Sequence, residues 1–192
     1  SLECSTYPDA LKIGRVVPIF KKGDRRLVCN YRPITILPTL NKIFEKLTLR
    51  RLVSFLDSHN ILSENQYGFR KGRDTSQAAL RVLNYILPLY YSKNYCACVF
   101  VDFSKAFDTV QHDILLHKLS RIGIRGAALD YFKSYLVGRA QLAICGEQSS
   151  TLEDVVAGVP QGSCLGPILF SLYTNELSAL FEPARVVCYA DD

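Results

Sequence analysis

Methionine is absent from all 192 residues, so the chain carries no initiator, and it stops on two aspartates, Asp191 and Asp192. Both features read as a piece of a longer polypeptide. No uninterrupted apolar run approaches the roughly 18 residues a membrane helix needs, and the N-terminus lacks a signal-peptide pattern. No CxxC pair exists among the seven cysteines, Cys4, Cys29, Cys96, Cys98, Cys145, Cys164 and Cys188. Cys96 and Cys98 would share one face of a strand, a poor start for a tetrahedral zinc site. Odd in number and scattered, the cysteines read as reduced thiols of an intracellular protein. His112 and His117 miss the i, i+4 spacing that sets two metal ligands on one helix face, and read as solvated or capping histidines. Internal repeats, low-complexity tracts and Gly/Ser- or Pro-rich linkers are also missing.

What is present is ordinary globular material: 48% hydrophobic and 21% charged residues, with a mean hydropathy of +0.08. That suffices for one domain or a compact pair of lobes, and excludes a disordered tail or a coiled coil. Charge is unevenly placed. Residues 1–81 hold 15 Lys/Arg against 7 Asp/Glu, whereas residues 82–192 hold 8 against 11. A basic half beside a mildly acidic one suits a protein that grips a polyanion with one lobe and holds divalent cations with the other. A solvated basic face accounts for the charge equally well.

The apolar patterning predicts α+β. Residues 15–20 read as a strand, Lys21 to Asp24 as a turn, and Pro33 and Pro38 keep 31–38 extended. From Thr39, a possible N-cap, Leu40, Ile43, Phe44, Leu47, Leu52, Phe55 and Leu56 recur at helical spacing. A loop fills 59–74, and a second helix from about Ser76 should fail at Pro88. Residues 96–103 read as a buried strand. Helices are expected near 112–121 and 127–137, closed by Gly123 and Gly138, then a hairpin of 140–145 with 152–158 across Gly146-Glu147. A long apolar helix at 164–181 and a second buried strand at 185–190 complete the pattern.

The two predicted buried strands each end in acid: Asp102 on one and, about ninety residues on, Asp191 and Asp192 on the other. Bare carboxylates at buried strand ends cost several kcal/mol, and converging ones repel, unless divalent cations lie between them. Magnesium prefers such oxygens, and two ions roughly 3.5–4 Å apart clamp an in-line phosphoryl displacement. Asp108, before Thr109 and a helix, reads instead as a capping carboxylate.

The order of motifs resembles a reverse transcriptase of the LINE-type, non-LTR retrotransposon kind, with group II intron enzymes next nearest. Val17-Pro18-Ile19-Phe20-Lys21-Lys22-Gly23-Asp24 and Tyr31-Arg32-Pro33-Ile34 resemble its fingers motifs, and Gln66-Tyr67-Gly68-Phe69-Arg70-Lys71-Gly72-Arg73 the next block. Phe100 to Asp108 is similar to motif A, Gly158-Val159-Pro160-Gln161-Gly162-Ser163 to motif B, and Tyr189-Ala190-Asp191-Asp192 to motif C. A lone YADD is a weak signal; five ordered blocks covering nearly the whole chain are a strong one.

The resemblance implies a right-hand polymerase with an RRM-like palm sheet, truncated before the thumb: fingers at 1–95 and an incomplete palm at 96–192. It implies two Mg²⁺ ions, replaceable by Mn²⁺, on Asp102, Asp191 and Asp192, with the Phe103 carbonyl on the nucleotide side. Lys22 and Arg32 would hold the triphosphate, with the choice between Lys21 and Lys22 open. Gln161 and Gly162 would approach the incoming nucleotide and template. Phe107 would be the aromatic gate against a ribose 2′-OH, or else a plain core residue. Arg70, Lys71 and Arg73 would touch the template backbone, or simply line a solvated loop. The implied partners are an RNA template, a DNA primer, dNTP and the rest of a polyprotein with its thumb and any endonuclease, not a membrane. The implied reaction is attack of a primer 3′-OH on the α-phosphate of a dNTP, in the nucleus and cytoplasm. The isolated chain is expected to polymerise poorly or not at all. Competing readings are an RNA-dependent RNA polymerase, a non-catalytic RNA-binding relative and a decayed genomic copy.

Overall fold

A computed structural model of the chain describes residues 5–191, so the predicted contributions of Cys4 and Asp192 lie outside the described residues. Strand β1 (Ile13–Phe20) turns at 21–30 and returns as β2 (Tyr31–Ile36), antiparallel, with Arg15 opposite Ile36 and Phe20 opposite Tyr31. Helices α1 (Thr39–Ser58), α2 (Thr75–Tyr91), α3 (His112–Arg121) and α4 (Ala127–Leu136) follow. Strand β3 (Arg139–Cys145) then pairs in parallel with β1, Ile13 opposite Ala140. Its other edge takes β4 (Gln148–Ser149) and β5 (Glu153–Val155), both antiparallel, before α5 (Gly166–Tyr173). The architecture is mixed α+β, with strand order β2-β1-β3-β4 and β5 also on β3. Among the described residues no helix is long and apolar enough to cross a membrane.

The core lies among the helices. Leu52 and Leu56 of α1, Leu115 and Leu119 of α3, Tyr131 and Tyr135 of α4, and Leu165 and Leu169 at α5 are all buried together with Tyr7. Gly123 and Gly138 take positive φ just after α3 and α4, as their places in the sequence predict. The expected hairpin also forms, its return broken into β4 and β5 because Ser150 bonds Ala143 with both its backbone N–H and its side chain (2.9 Å each).

Several expectations are corrected. The buried stripe of α1 is Asn41, Glu45, Thr48, Leu52 and Leu56, whereas Leu40, Ile43 and Leu47 are exposed. The core opposite the first turns of α1 is lined by tyrosine hydroxyls, and these select polar partners: Tyr7 Oη donates to Asn41 Oδ1, Tyr135 Oη to Glu45 Oε1 (2.7 Å), and Thr48 Oγ1 to Tyr131 Oη (3.0 Å). Thr39 is the first helical residue rather than the cap, and Pro38 precedes it. Helix α2 is capped by Asp74, which accepts the Gln77 N–H at 2.8 Å, and runs through Pro88 to Tyr91. Proline is tolerated there because the carbonyl it leaves unbonded, four residues back at Asn84, is on an exposed residue open to water.

The long helix predicted at 164–181 stops at Tyr173, with a separate 3-10 turn at Leu177–Phe181. Asn175 interrupts it by turning its side chain to the loop after α1, donating to Ile61 O (2.8 Å) and accepting the Ser63 N–H (2.7 Å). Neither predicted buried strand forms a ladder. Residues 96–103 are exposed, with Val99 and Phe100 at 86% and 87%, and 185–190 makes only a parallel bridge between Cys188 and Gln66. Apolar composition favours a strand but cannot supply the neighbour whose peptides must be bonded.

Candidate active site

The five sequence blocks converge through their backbones. Motif A meets motif C where the Phe103 N–H donates to Asp191 O at 3.4 Å, which brings Asp102 and Asp191 to neighbouring strands of chain. Motif A meets motif B where Val159 N–H donates to Phe107 O (2.8 Å), and two residues past motif A Gly158 N–H donates to Val110 O (2.7 Å). A Cβ on Gly158 would stand 2.9 Å from both Cα and O of Asp108, so this seam requires glycine. Motif B meets β2 where Thr35 N–H donates to Gln161 O at 2.9 Å. Gly162 is packed against the same residue, since a Cβ there would lie 2.9 Å from Thr35 O.

Asp108 is not a helix cap. Gln111 is the N-cap of α3, and Asp108 accepts Gln161 Nε2 at 3.3 and 3.4 Å. Burial raises its carboxyl above the usual carboxylate value, opposed by the Gln161 hydrogen bond and the Lys105 charge. His112 is likewise not solvated: it is buried, with Nε2 at 2.8 Å from Gly158 O, so the first residue of α3 holds the A–B seam from below. His117 is exposed, as expected.

Phe107 is half-buried, its ring 5.0 Å from Phe170 and 6.0 Å from Phe69, edge-on to the latter. Phe103 meets the same Phe170 edge-on at 6.4 Å. The aromatic floor under motif A is therefore shared between α5 and the 66–73 block. Lys21, Lys22 and Arg32 are exposed, with Arg32 opposite Ile19 at the loop end of the β1–β2 hairpin. Arg70 and Arg73 fold back on their own loop: Arg70 donates to Ser63 O at 2.7 Å, and Arg73 to the carbonyls of Glu64 and Gln66 while covering the Tyr67 ring. Of that trio only Lys71 is exposed; Arg70 and Arg73 are half-buried.

The residues suit hard divalent cations. Asp102 and Asp191 form no ion pair among the described residues, and no described group donates to the Phe103 carbonyl. All three are hard oxygen donors of the kind magnesium selects. Among the described residues no group of three or more His, Cys, Asp or Glu is gathered, and the third carboxylate of the expected set, Asp192, lies outside them.

Motif spacing missed the means by which motif C is held. Cys188 N–H donates to Asn65 O and Tyr67 N–H to Cys188 O, both at 2.8 Å, so residues 65–67 run alongside motif C. The signal was Gly68, where a Cβ would lie 2.6 Å from Ala190 Cα. Also missed was Glu45, fully buried, which accepts the Cys164 N–H at 2.6 Å.

The sequence belongs to a known family. Residues 19–192 match the family model for reverse transcriptase (RNA-dependent DNA polymerase), and the chain belongs to that family. It is 38% identical over 97% of its length to the "Probable RNA-directed DNA polymerase from transposon X-element" of Drosophila melanogaster. It is 34% identical over its whole length to the RNA-directed DNA polymerase from mobile element jockey of the same species. A Pol polyprotein from the type-1 retrotransposable element R2 of Popillia japonica is 30% identical over 85% of the chain. These relatives bear out the LINE-type resemblance. The chain spans about a fifth of their length, 21% of the first and 22% of the other two.

Proposed function

We propose that this chain is the fingers (1–95) and incomplete palm (96–192) of a retrotransposon polymerase that copies RNA into DNA, extending a DNA primer with dNTP. The observation that supports the reading is the backbone contact from Phe103, next to Asp102, to Asp191, where motif A meets motif C. Family membership supports the reaction type. Asp102, Asp191 and Asp192, with the Phe103 carbonyl, would hold two Mg²⁺ ions. Those ions, when bound, would supply charge neutralisation at the attacking 3′-hydroxyl and the departing pyrophosphate.

The chain's own groups bind, orient and exclude. Lys22 and Arg32 bind the triphosphate from the hairpin, and Lys71, with Arg70 and Arg73 behind it, follows the template backbone. Gln161 and Gly162 bound the nascent base pair, Gln161 being tied to Asp108 on one side and to β2 on the other. The Phe107 ring is wedged by Phe69 and Phe170 and so stays under the sugar, where a 2′-hydroxyl would collide with it. The excess of base in residues 1–81 suits backbone recognition of nucleic acid, so binding weakens as salt rises. We place the protein in the nucleus and cytoplasm, on the resemblance alone.

The test is Mg²⁺-dependent dNTP incorporation on an RNA template with a DNA primer by the full-length protein containing this chain. Asp102→Asn and Asp191→Asn should each abolish it while RNA binding persists. Incorporation of rNTP in preference to dNTP, or RNA binding with no synthesis, would overturn the proposal. The isolated 192-residue chain should extend a primer poorly or not at all; processive synthesis by it would refute that part.

A further inference from the structure

Motif C carries a strained residue directly before its first aspartate. Ala190 adopts φ +59°, a left-handed conformation that a residue with a Cβ seldom takes and keeps only where its surroundings impose it. The imposing group is one side chain. Gln66 is buried, and its Oε1 accepts the Ala190 N–H (3.0 Å) and the Gly68 N–H (2.7 Å), while its Nε2 donates to Ala190 O (3.3 Å). Both peptide groups of Ala190 are thus bonded to a single amide, and Gly68 closes the other side by contact with the Ala190 backbone. On either side of it, Cys188 is bonded through Asn65 and Tyr67, and Asp191 only through its carbonyl, which accepts the Phe103 N–H at 3.4 Å.

Resting on the polymerase reading above, we infer that Gln66 is a positioning residue. Its amide clamps Ala190 in the left-handed state and thereby fixes where the Asp191 carboxylate points. It touches neither nucleotide nor template. Its loss should therefore change the turnover of bound substrate more than the binding of dNTP, and should loosen the motif C backbone selectively.

Two substitutions separate this from a merely structural role. Gln66→Met keeps the length and volume but removes every bond to Ala190. Gln66→Glu keeps the oxygen that accepts both N–H groups and replaces only the longest bond, to Ala190 O, by an oxygen–oxygen contact. In the full-length protein, amide hydrogen exchange should rise tenfold or more in a peptide covering 188–191 of Gln66→Met, with α3 and α4 unchanged, and should stay near the parent level in Gln66→Glu. In primer extension, kcat of Gln66→Met should fall ten- to a hundredfold with dNTP KM moved less than twofold, and Gln66→Glu should restore most of it. Unchanged exchange at 188–191 in Gln66→Met overturns the inference. So does loss of protection throughout α3 and α4, which would make Gln66 an ordinary fold residue. Should the parent protein synthesise no DNA, the polymerase reading fails by itself, and exchange still decides whether Gln66 clamps the turn.

Discussion

Glu45, on the second turn of α1, accepts the Cys164 N–H at 2.6 Å through one carboxylate oxygen and the Tyr135 hydroxyl at 2.7 Å through the other. It is fully buried and no cation pairs with it among the described residues. One side chain thus fastens α1, α4 and the end of motif B together.

Removing it should be costly in a way that replacing it is not. Glu45→Ala strands one buried and one partly buried donor and opens a cavity, a loss of about 3–5 kcal/mol. That corresponds to a melting temperature roughly 10 °C lower for a domain of this size. Glu45→Gln retains an acceptor and should cost about 1 kcal/mol. Thermal unfolding of the two variants checks this, and equal losses would refute the argument.

Gly158 and Gly72 both have positive φ, +91° and +76°, but differ in their surroundings. A Cβ at Gly158 would meet Asp108 backbone at 2.9 Å, whereas at Gly72 nothing lies within 4 Å. Gly72→Ala should therefore cost only the conformational term, about 1–2 kcal/mol. Gly158→Ala should cost at least about 2 kcal/mol more, because the backbone at the A–B seam must move. Urea midpoints of the two variants decide the point; similar losses would mean the seam is looser than described.

Phe107 packs against Phe69 and Phe170 while serving, on our reading, as the gate beneath the sugar. Phe107→Val should admit rNTP, raising its use relative to dNTP by tenfold or more. It should also destabilise the protein by about 1–3 kcal/mol through lost packing. Single-nucleotide incorporation with each substrate measures the first effect. Destabilisation with unaltered discrimination would leave Phe107 a core residue only.

Asp108 should impose a pH dependence on stability. Burial raises its folded pKa above the usual 3.8, so the native state holds the proton more tightly than the unfolded chain. Its contribution therefore favours folding at low pH and is lost as pH rises from 3.8 through the raised value. Asp108→Asn has no such loss, so its urea midpoint relative to the parent should climb between about pH 4 and pH 7. The effect is small because solvent reaches the pair. An identical offset at both pH values would count against it.

The family and most element positions were readable without coordinates, because motif order, glycine stops and helical spacing are local properties. The strand ending at Phe20, the extended segment from Tyr31, and the ends of α3 and α4 all lie where residue chemistry puts them. Partner choice was not readable. The first half of α1 turns Asn41, Glu45 and Thr48 inward because three tyrosine hydroxyls wait there, and no periodicity of apolar residues reveals that. Residues 96–103 have strand composition but lack a ladder partner among the described residues, and Asn175 cuts a helix short by bonding a loop more than a hundred residues away.

By itself, then, the sequence determined which groups our reading assigns to the chemistry: hard carboxylates at Asp102 and Asp191, cations at Lys22 and Arg32, and an aromatic at Phe107. Tertiary structure alone decided what holds them: Gln66 on Ala190, Glu45 on Cys164, and Gln161 on Asp108. The reason is physical. A reactive group announces itself by its own functional atoms, whereas a supporting hydrogen bond exists only once two distant stretches of chain have been brought within about 3 Å of each other.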